Sequence, residues 1–163
     1  MTDSESHRVV IVGGGFGGLY AARRLGRAMI GVTLIDRRNF HLFQPLLYQV
    51  ATGGLSPGDV SAPLRSVLKA DGNTRVLVGD VADVDVGQRE VILHDGTRVP
   101  YDSLVVAVGM CYHYFGNDAW AQATGSLKTV EHALDIRRRI FLLLSGQKPR
   151  PTPVNAQHGC ALS

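Results

Sequence analysis

The sequence predicts an α/β domain: a parallel sheet with a helix packed on it, and a small antiparallel meander ahead of the last parallel strand. Three observations carry this. Residues 9–36 read as strand, glycine turn, helix, strand. Residues 75–99 read as short strand-like segments, with Asp95-Gly96 between two of them. Leu104 to Val108 is a short, continuous apolar run.

Taken in order, Val9 to Val12 is an unbroken β-branched run, the texture of a strand covered on both faces. The glycine cluster follows, and Leu19 to Arg27 is rich in Leu, Ala and Arg, strong helix formers. Gly31 is expected to end that helix, and Val32 to Asp36 reads as a second strand closing on an acid. This order is a βαβ unit of Rossmann type. Residues 39–63 mix three prolines and three glycines with apolar residues, which suits an irregular, buried loop or short helix lining a ligand. A helix is expected over Leu64 to Ala70. The segments from Arg75 to Val99 predict a three-stranded meander, with Asp95-Gly96 as a two-residue hairpin turn. Leu104 to Val108 then returns to the parallel sheet. Thr129 is placed to N-cap a helix reaching about Leu144, with Glu131 at its positive end and Asp135 four residues before Arg139. Residues 146–163 have no periodicity and are proline-rich, which predicts a disordered tail.

Gly13-x-Gly15-x-x-Gly18 has the spacing of a dinucleotide-binding turn. Gly13 permits the sharp turn, Gly15 lets backbone N–H groups approach a pyrophosphate, and Gly18 lets helix and strand close together. The positive end of the helix then faces the phosphates. Asp36 lies 18 residues beyond Gly18, at the end of the next strand, where it can accept from a ribose diol. FAD and NAD both use this arrangement, so the spacing does not choose between them. A ribose phosphate would repel Asp36, which disfavours NADP. Arg37 and Arg38 either neutralise phosphates or are surface charge.

Composition excludes several classes. With 45% hydrophobic and 19% charged residues, the chain is that of an ordinary globular protein, and its formal charge of +3 is mild. Apart from Arg137, Arg138 and Arg139 the arginines are scattered, with no basic stripe interleaved with aromatics, so no nucleic-acid partner is expected. Cys111 and Cys160 form no C-x-x-C, and His41, His94, His113 and His132 have no ligand spacing, so no metal site is expected and a reducing compartment fits best. No serine sits in a nucleophile elbow. The first residues, MTDSESHR, are polar and unlike a signal peptide. The longest apolar runs, LVVAV and IFLLL, fall far short of the roughly twenty residues that span a bilayer.

Four blocks, VVIVGGGFGGLYAARRL, LIDRRNFHLFQPLLYQVATGGLSP, LVGDVADVD and YFGNDAWAQATGSLKTVEHALDIRRRI, together resemble the N-terminal part of bacterial type II NADH dehydrogenases. These are FAD-containing NADH:quinone oxidoreductases of the two-dinucleotide-binding-domain superfamily. The likeness runs over residues 8 to 142. It implies a Rossmann-type FAD-binding domain that is incomplete, with residues 7–116 as its N-terminal part and 117–145 as the start of a connection to an NADH-binding domain. The FAD pyrophosphate is then expected on Gly13, Gly14, Gly15, Phe16, Gly17 and Gly18. The resemblance implies Asp36 and Arg37 at the adenosine ribose, Gln44 along the cofactor, Val81 at the adenine through its backbone, and Gly109 beside the flavin. Val108 stands where the family's second flavin segment carries threonine, and Cys111 follows closely.

The chemistry so implied is hydride transfer from NADH to FAD and onward electron transfer to a membrane quinone, with no residue of this segment catalytic. The implied setting is cytoplasmic, with the complete protein peripheral on the inner face of the membrane, and a homodimer is compatible with it. Sulfide:quinone oxidoreductases are related and need a cysteine pair, for which Cys111 is one candidate. A nucleotide-binding remnant without turnover is the non-enzymatic alternative. Because such proteins complete the flavin site further along, the chain by itself is expected to hold FAD weakly or not at all and to oxidise no NADH.

Overall fold

Alternate residues of a β-branched run point to opposite faces, and in this chain both faces find cover. The computed structural model describes residues 6–70, 72–110, 113–117 and 126–147. They fall into two compact units, one built from residues up to His41 and from Ala62 to Met110, the other from Leu42 to Ser61 and from the described residues beyond Met110.

In the first unit, β1 (Arg8–Val12), β2 (Gly31–Asp36), β5 (Thr74–Val78) and β9 (Ser103–Val106) form a sheet in the order β5-β2-β1-β9. Every pairing is parallel, with Val12 opposite Ile35 on one side and Val106 on the other, and Asp36 opposite Val78. One face of the sheet packs Val9, Ile11, Val32 and Leu34 against Leu19 and Ala22 of α1 (Phe16–Leu25) and Leu64 and Leu68 around α3 (Leu64–Val67). The other packs Val10, Val12 and Ile35 against Val81, Val91, Leu93 and Tyr101. Those residues come from or adjoin the antiparallel meander β6 (Val81–Asp85), β7 (Glu90–Leu93) and β8 (Arg98–Pro100). Its hairpin turn forms around Asp95-Gly96, but as a three-residue loop instead of the expected two-residue one: the Leu93 amide donates to the Thr97 carbonyl at 2.9 Å, Gly96 has φ +84°, and the Thr97 amide donates to Asp95 Oδ1 at 2.9 Å.

Several boundaries differ from the expectation. Residues 74–78 belong to the parallel sheet and not to the meander, because β5 completes a second edge beside β2. Helix α1 starts inside the glycine motif at Phe16 and stops at Leu25, where Gly26 follows; Gly31 opens β2 instead of ending the helix. Strand β9 ends at Val106 and α3 at Val67, both shorter than their apolar runs suggest. The interval from Leu25 to Gly31 is tied down by Asn73, whose Nδ2 donates to the carbonyls of Leu25, Ala28 and Ile30 at 3.2, 2.8 and 2.8 Å.

In the second unit, α2 (Leu47–Ala51) and α4 (Val130–Leu144) share a small core of Leu47, Val50, Ala51, Val60 and Ala133. Thr129 caps α4 as expected, its hydroxyl accepting from the His132 amide at 3.3 Å. Asp135 pairs with Arg139 at 2.7 Å and with Arg138 at 3.2 Å. The proline- and glycine-rich stretch 39–63 forms β3 (Phe40–Leu42), two 3-10 turns, α2 and β4 (Ser61–Pro63), with β3 and β4 paired. The expected tail over 146–163 lies outside the described residues from position 148 onward.

Candidate functional site

The glycines between β1 and α1 are not equivalent. Gly13 has φ +105°, and a Cβ there would lie 2.7 Å from the carbonyl carbon of Ala107, so the fold itself demands glycine. A Cβ on Gly18 would press on the Gly13 carbonyl, with its carbon at 3.0 Å, where α1 crosses β1. One on Gly14 would meet Leu64 Cδ1 at 2.7 Å and Asp36 Oδ2 at 3.2 Å. Gly17 has ordinary clearance, 3.8 Å from the Ala107 Cβ. Gly15 is different again. Its φ of −68° suits any residue, and a Cβ there would have no heavy atom within 4 Å. Neither backbone conformation nor packing explains glycine at that position.

Gly15 is also the N-cap of α1. No side chain caps the helix, its first turn carries no acid, and Arg23 and Arg24 complement the opposite end. A ten-residue helix thus starts with donors that no capping side chain satisfies, beside a space that no Cβ enters. That is a cradle for an anion.

Asp36 has a larger part than its expected one. Its Oδ2 accepts from the Gly14 amide at 2.5 Å and its Oδ1 from the Arg38 amide at 2.7 Å. Its backbone carbonyl accepts from the Gly79 amide at 3.0 Å. The carboxylate therefore holds the loop before any ligand is considered. Each oxygen keeps a second lone pair for another donor.

The carboxyl ends of the four parallel strands meet here: Gly13 after β1, Asp36 at the end of β2, Gly79 after β5 and Ala107 after β9. Open α/β sheets bind their ligands in the crevice at this end. Val81 opens β6 with its side chain buried at 7% exposure, so only its backbone can face a ligand. Gly109 has φ +79° and open space where a Cβ would stand. Arg37 is exposed directly after Asp36, and Phe16, at the first position of α1, is partly exposed. Gln44 lies in the second unit, where its Nε2 donates to the Lys128 carbonyl at 3.4 Å. Cys111, Tyr112 and Cys160 lie outside the described residues. His113 lies in the second unit, where its ring meets Phe115 edge-on at 5.0 Å and its Nδ1 accepts from the Phe115 amide at 3.3 Å.

Sequence reasoning missed two contributors. In the sequence His41 is a histidine without ligand spacing, yet its Nδ1 lies 3.0 Å from the Gly14 carbonyl and its ring meets Phe16 edge-on at 4.8 Å. Leu64 supplies the wall under Gly14. Neither has a fixed offset from the glycines, so no motif spacing could have found them. No group of His, Cys, Asp and Glu among the described residues could hold a metal ion, and no helix among them is long and apolar enough to cross a membrane.

The arrangement has close counterparts. The family described as pyridine nucleotide-disulphide oxidoreductase matches residues 7–141. The chain is 52% identical over 138 residues to a type II NADH:quinone oxidoreductase of Mycobacterium tuberculosis, covering 83% of this chain and 29% of that protein. Among solved structures, the sulfide:quinone oxidoreductase of Aquifex aeolicus superposes with a TM-score of 0.77 at 30% identity, over 86% of this chain and 33% of that one. The NDH2 of Plasmodium falciparum in complex with NADH superposes with a TM-score of 0.75 at 26% identity, over 86% and 30%. The chain thus spans about three tenths of the length of the mycobacterial relative. The family model matches well over half of the sequence, and the chain belongs to the pyridine nucleotide-disulphide oxidoreductase family.

Proposed function

We propose that this chain is the N-terminal, FAD-binding part of a type II NADH:quinone oxidoreductase. The observation that carries the binding site is Gly15: a position where glycine serves neither backbone nor packing, at an uncapped helix N-terminus beside Asp36. In this reading the Gly13–Gly18 loop donates backbone N–H groups to the pyrophosphate. The free lone pairs of Asp36 accept from the adenosine ribose, and Arg37 adds a compensating charge nearby. Val81 offers its backbone to the adenine, Gly109 leaves room beside the flavin, and Gln44 lies along the cofactor. FAD, when bound, supplies the two-electron chemistry between NADH and quinone. No side chain of this site acts as acid, base or nucleophile.

NADH and a quinone are the proposed substrates of the longer protein, peripheral on the cytoplasmic face of the membrane, with a homodimer as its proposed assembly. The choice of NADH over sulfide rests on the 52% identity to the mycobacterial enzyme, against 30% to the sulfide enzyme. The test is a graft. Residues 7–141, placed in the matching segment of the Mycobacterium tuberculosis enzyme, should give a yellow protein that oxidises NADH with a water-soluble quinone. A graft that folds and melts cooperatively but holds no flavin would overturn the reading. One that supports sulfide oxidation in the Aquifex enzyme but no NADH oxidation in the mycobacterial one would favour the sulfide alternative.

A further inference from the structure

Gly14 is held at both of its peptide groups by side chains from other elements. Its amide donates to Asp36 Oδ2 at 2.5 Å, and its carbonyl lies 3.0 Å from His41 Nδ1. A carbonyl oxygen only accepts, so Nδ1 must carry the hydrogen in this contact. The His41 ring is partly buried and is fixed from the side by the Phe16 ring, edge-on at 89°. Its direction is therefore set by packing as well as by the hydrogen bond.

The consequence lies one residue further on. The described chain has no cis peptide bond, so the N–H of Gly15 points away from the Gly14 carbonyl across the same rigid plane. Whatever holds that carbonyl also aims the Gly15 N–H. The Gly14–Gly15 peptide has no β-carbon on either side to restrict its rotation, and a Cβ built on Gly15 would meet no heavy atom within 4 Å. Left unheld, this plane is the softest part of the loop.

We propose that His41 is a positioning residue of the phosphate loop: its Nδ1–H, bonded to the Gly14 carbonyl, locks the 14–15 peptide so that the Gly15 N–H faces the pyrophosphate. The proposal rests on the reading of this loop as a pyrophosphate site. Asp36 holds one peptide plane and His41 the next, so two side chains preorganise one donor. Preorganisation of this kind appears as affinity, because the bound geometry need not be ordered at the moment of binding.

The experiment uses the whole chain, isotope-labelled, with ADP as probe and the amide resonances of Gly13 to Gly18 as readout. In the wild type, ADP should shift the Gly15 amide saturably. His41→Leu, which fills similar space without a donor, should raise the ADP dissociation constant at least tenfold. His41→Asn should stay within about threefold of wild type, since the Asn amide nitrogen occupies nearly the position of Nδ1. Gly15→Ala is the control for the site itself. If no loop amide of the wild type responds to ADP, or Gly15→Ala binds as wild type, the pyrophosphate reading fails. If Gly15→Ala loses binding while His41→Leu keeps it, His41 has no positioning role and the reading stands. The imidazole nitrogen shifts of His41 in the unliganded wild type give a measurement free of any variant. The Nδ1–H tautomer is expected, and the Nε2–H tautomer would overturn the proposal.

Discussion

Replacing Gly15 by alanine separates folding from binding in a single methyl group. The added Cβ would have no heavy atom within 4 Å, and φ of −68° is comfortable for alanine, so the folded state meets no strain. The unfolded chain loses freedom, a gain of about 0.4–1 kcal/mol, while alanine is a poorer N-cap than glycine by a similar amount, so stability is expected to stay within about 1 kcal/mol of wild type. The same methyl stands where a pyrophosphate oxygen would approach the loop amides. Losing one hydrogen bond to a charged group costs about 1.5–3 kcal/mol, which is roughly a tenfold to hundredfold loss of affinity for ADP or FAD. Gly18→Ala gives the contrast. Its Cβ would press on the Gly13 carbonyl group, and overpacking of that kind costs about 1–3 kcal/mol in the fold. Urea unfolding without ligand and ADP titration of both variants form the assay. A Gly15→Ala protein destabilised by as much as Gly18→Ala, or one that binds ADP undiminished, would refute the reasoning.

Three further outcomes follow from the hydrogen bonds and charges. Asn73→Ala should destabilise the first unit by about 1–3 kcal/mol, since the carbonyls of Leu25, Ala28 and Ile30 lose their shared donor, and Asn73→Asp should cost more by setting an acceptor against acceptors; urea unfolding reads both. The Arg8 guanidinium and amide beside Asp102 hold its carboxyl down at about 2, against an ordinary 3.8. A lowered folded-state value makes this contribution present above pH 3.8 and lost as pH falls toward 2, so the acid limb of a pH–stability curve should be shallower in Asp102→Asn than in wild type. Thr129→Ala removes the cap of α4 and should cost about 0.5–2 kcal/mol, visible as a lower thermal midpoint.

The parts of the fold that the sequence made legible are those in which neighbouring residues do one job together. Val9 to Val12 must be a strand, because both faces of four β-branched residues need cover, and the covering layers are α1 on one side and the meander on the other. Asp95-Gly96 announces its hairpin because the turn needs a positive φ at that point. Residues 74–78 were less legible. A short apolar strand reads the same whether its neighbours are parallel or antiparallel, and what places it beside β2 is the tie from Asn73 and the Gly79 amide on the Asp36 carbonyl. The end of α1 misled for a similar reason: Arg27, Ala28 and Met29 favour helix locally, but Asn73 claims the carbonyls of that stretch for a turn.

At the site, the motif gives each glycine its own part: the turn for Gly13, the approach to phosphate for Gly15, the helix–strand contact for Gly18. The structure adds the distances that separate the two the fold requires from the one it does not. That separation changes what each glycine can prove. Substituting Gly13 or Gly18 damages the scaffold, so a lost ligand after such a change says little about contact. Asp36 carries the same ambiguity, because its carboxylate already holds the Gly14 and Arg38 amides. An Asp36→Ala protein would release the loop as well as the ribose, and its weakened binding would not distinguish the two. Gly15 alone among these positions combines an ordinary φ with empty space beyond its α-carbon, so a methyl there tests the ligand and leaves the loop as it was.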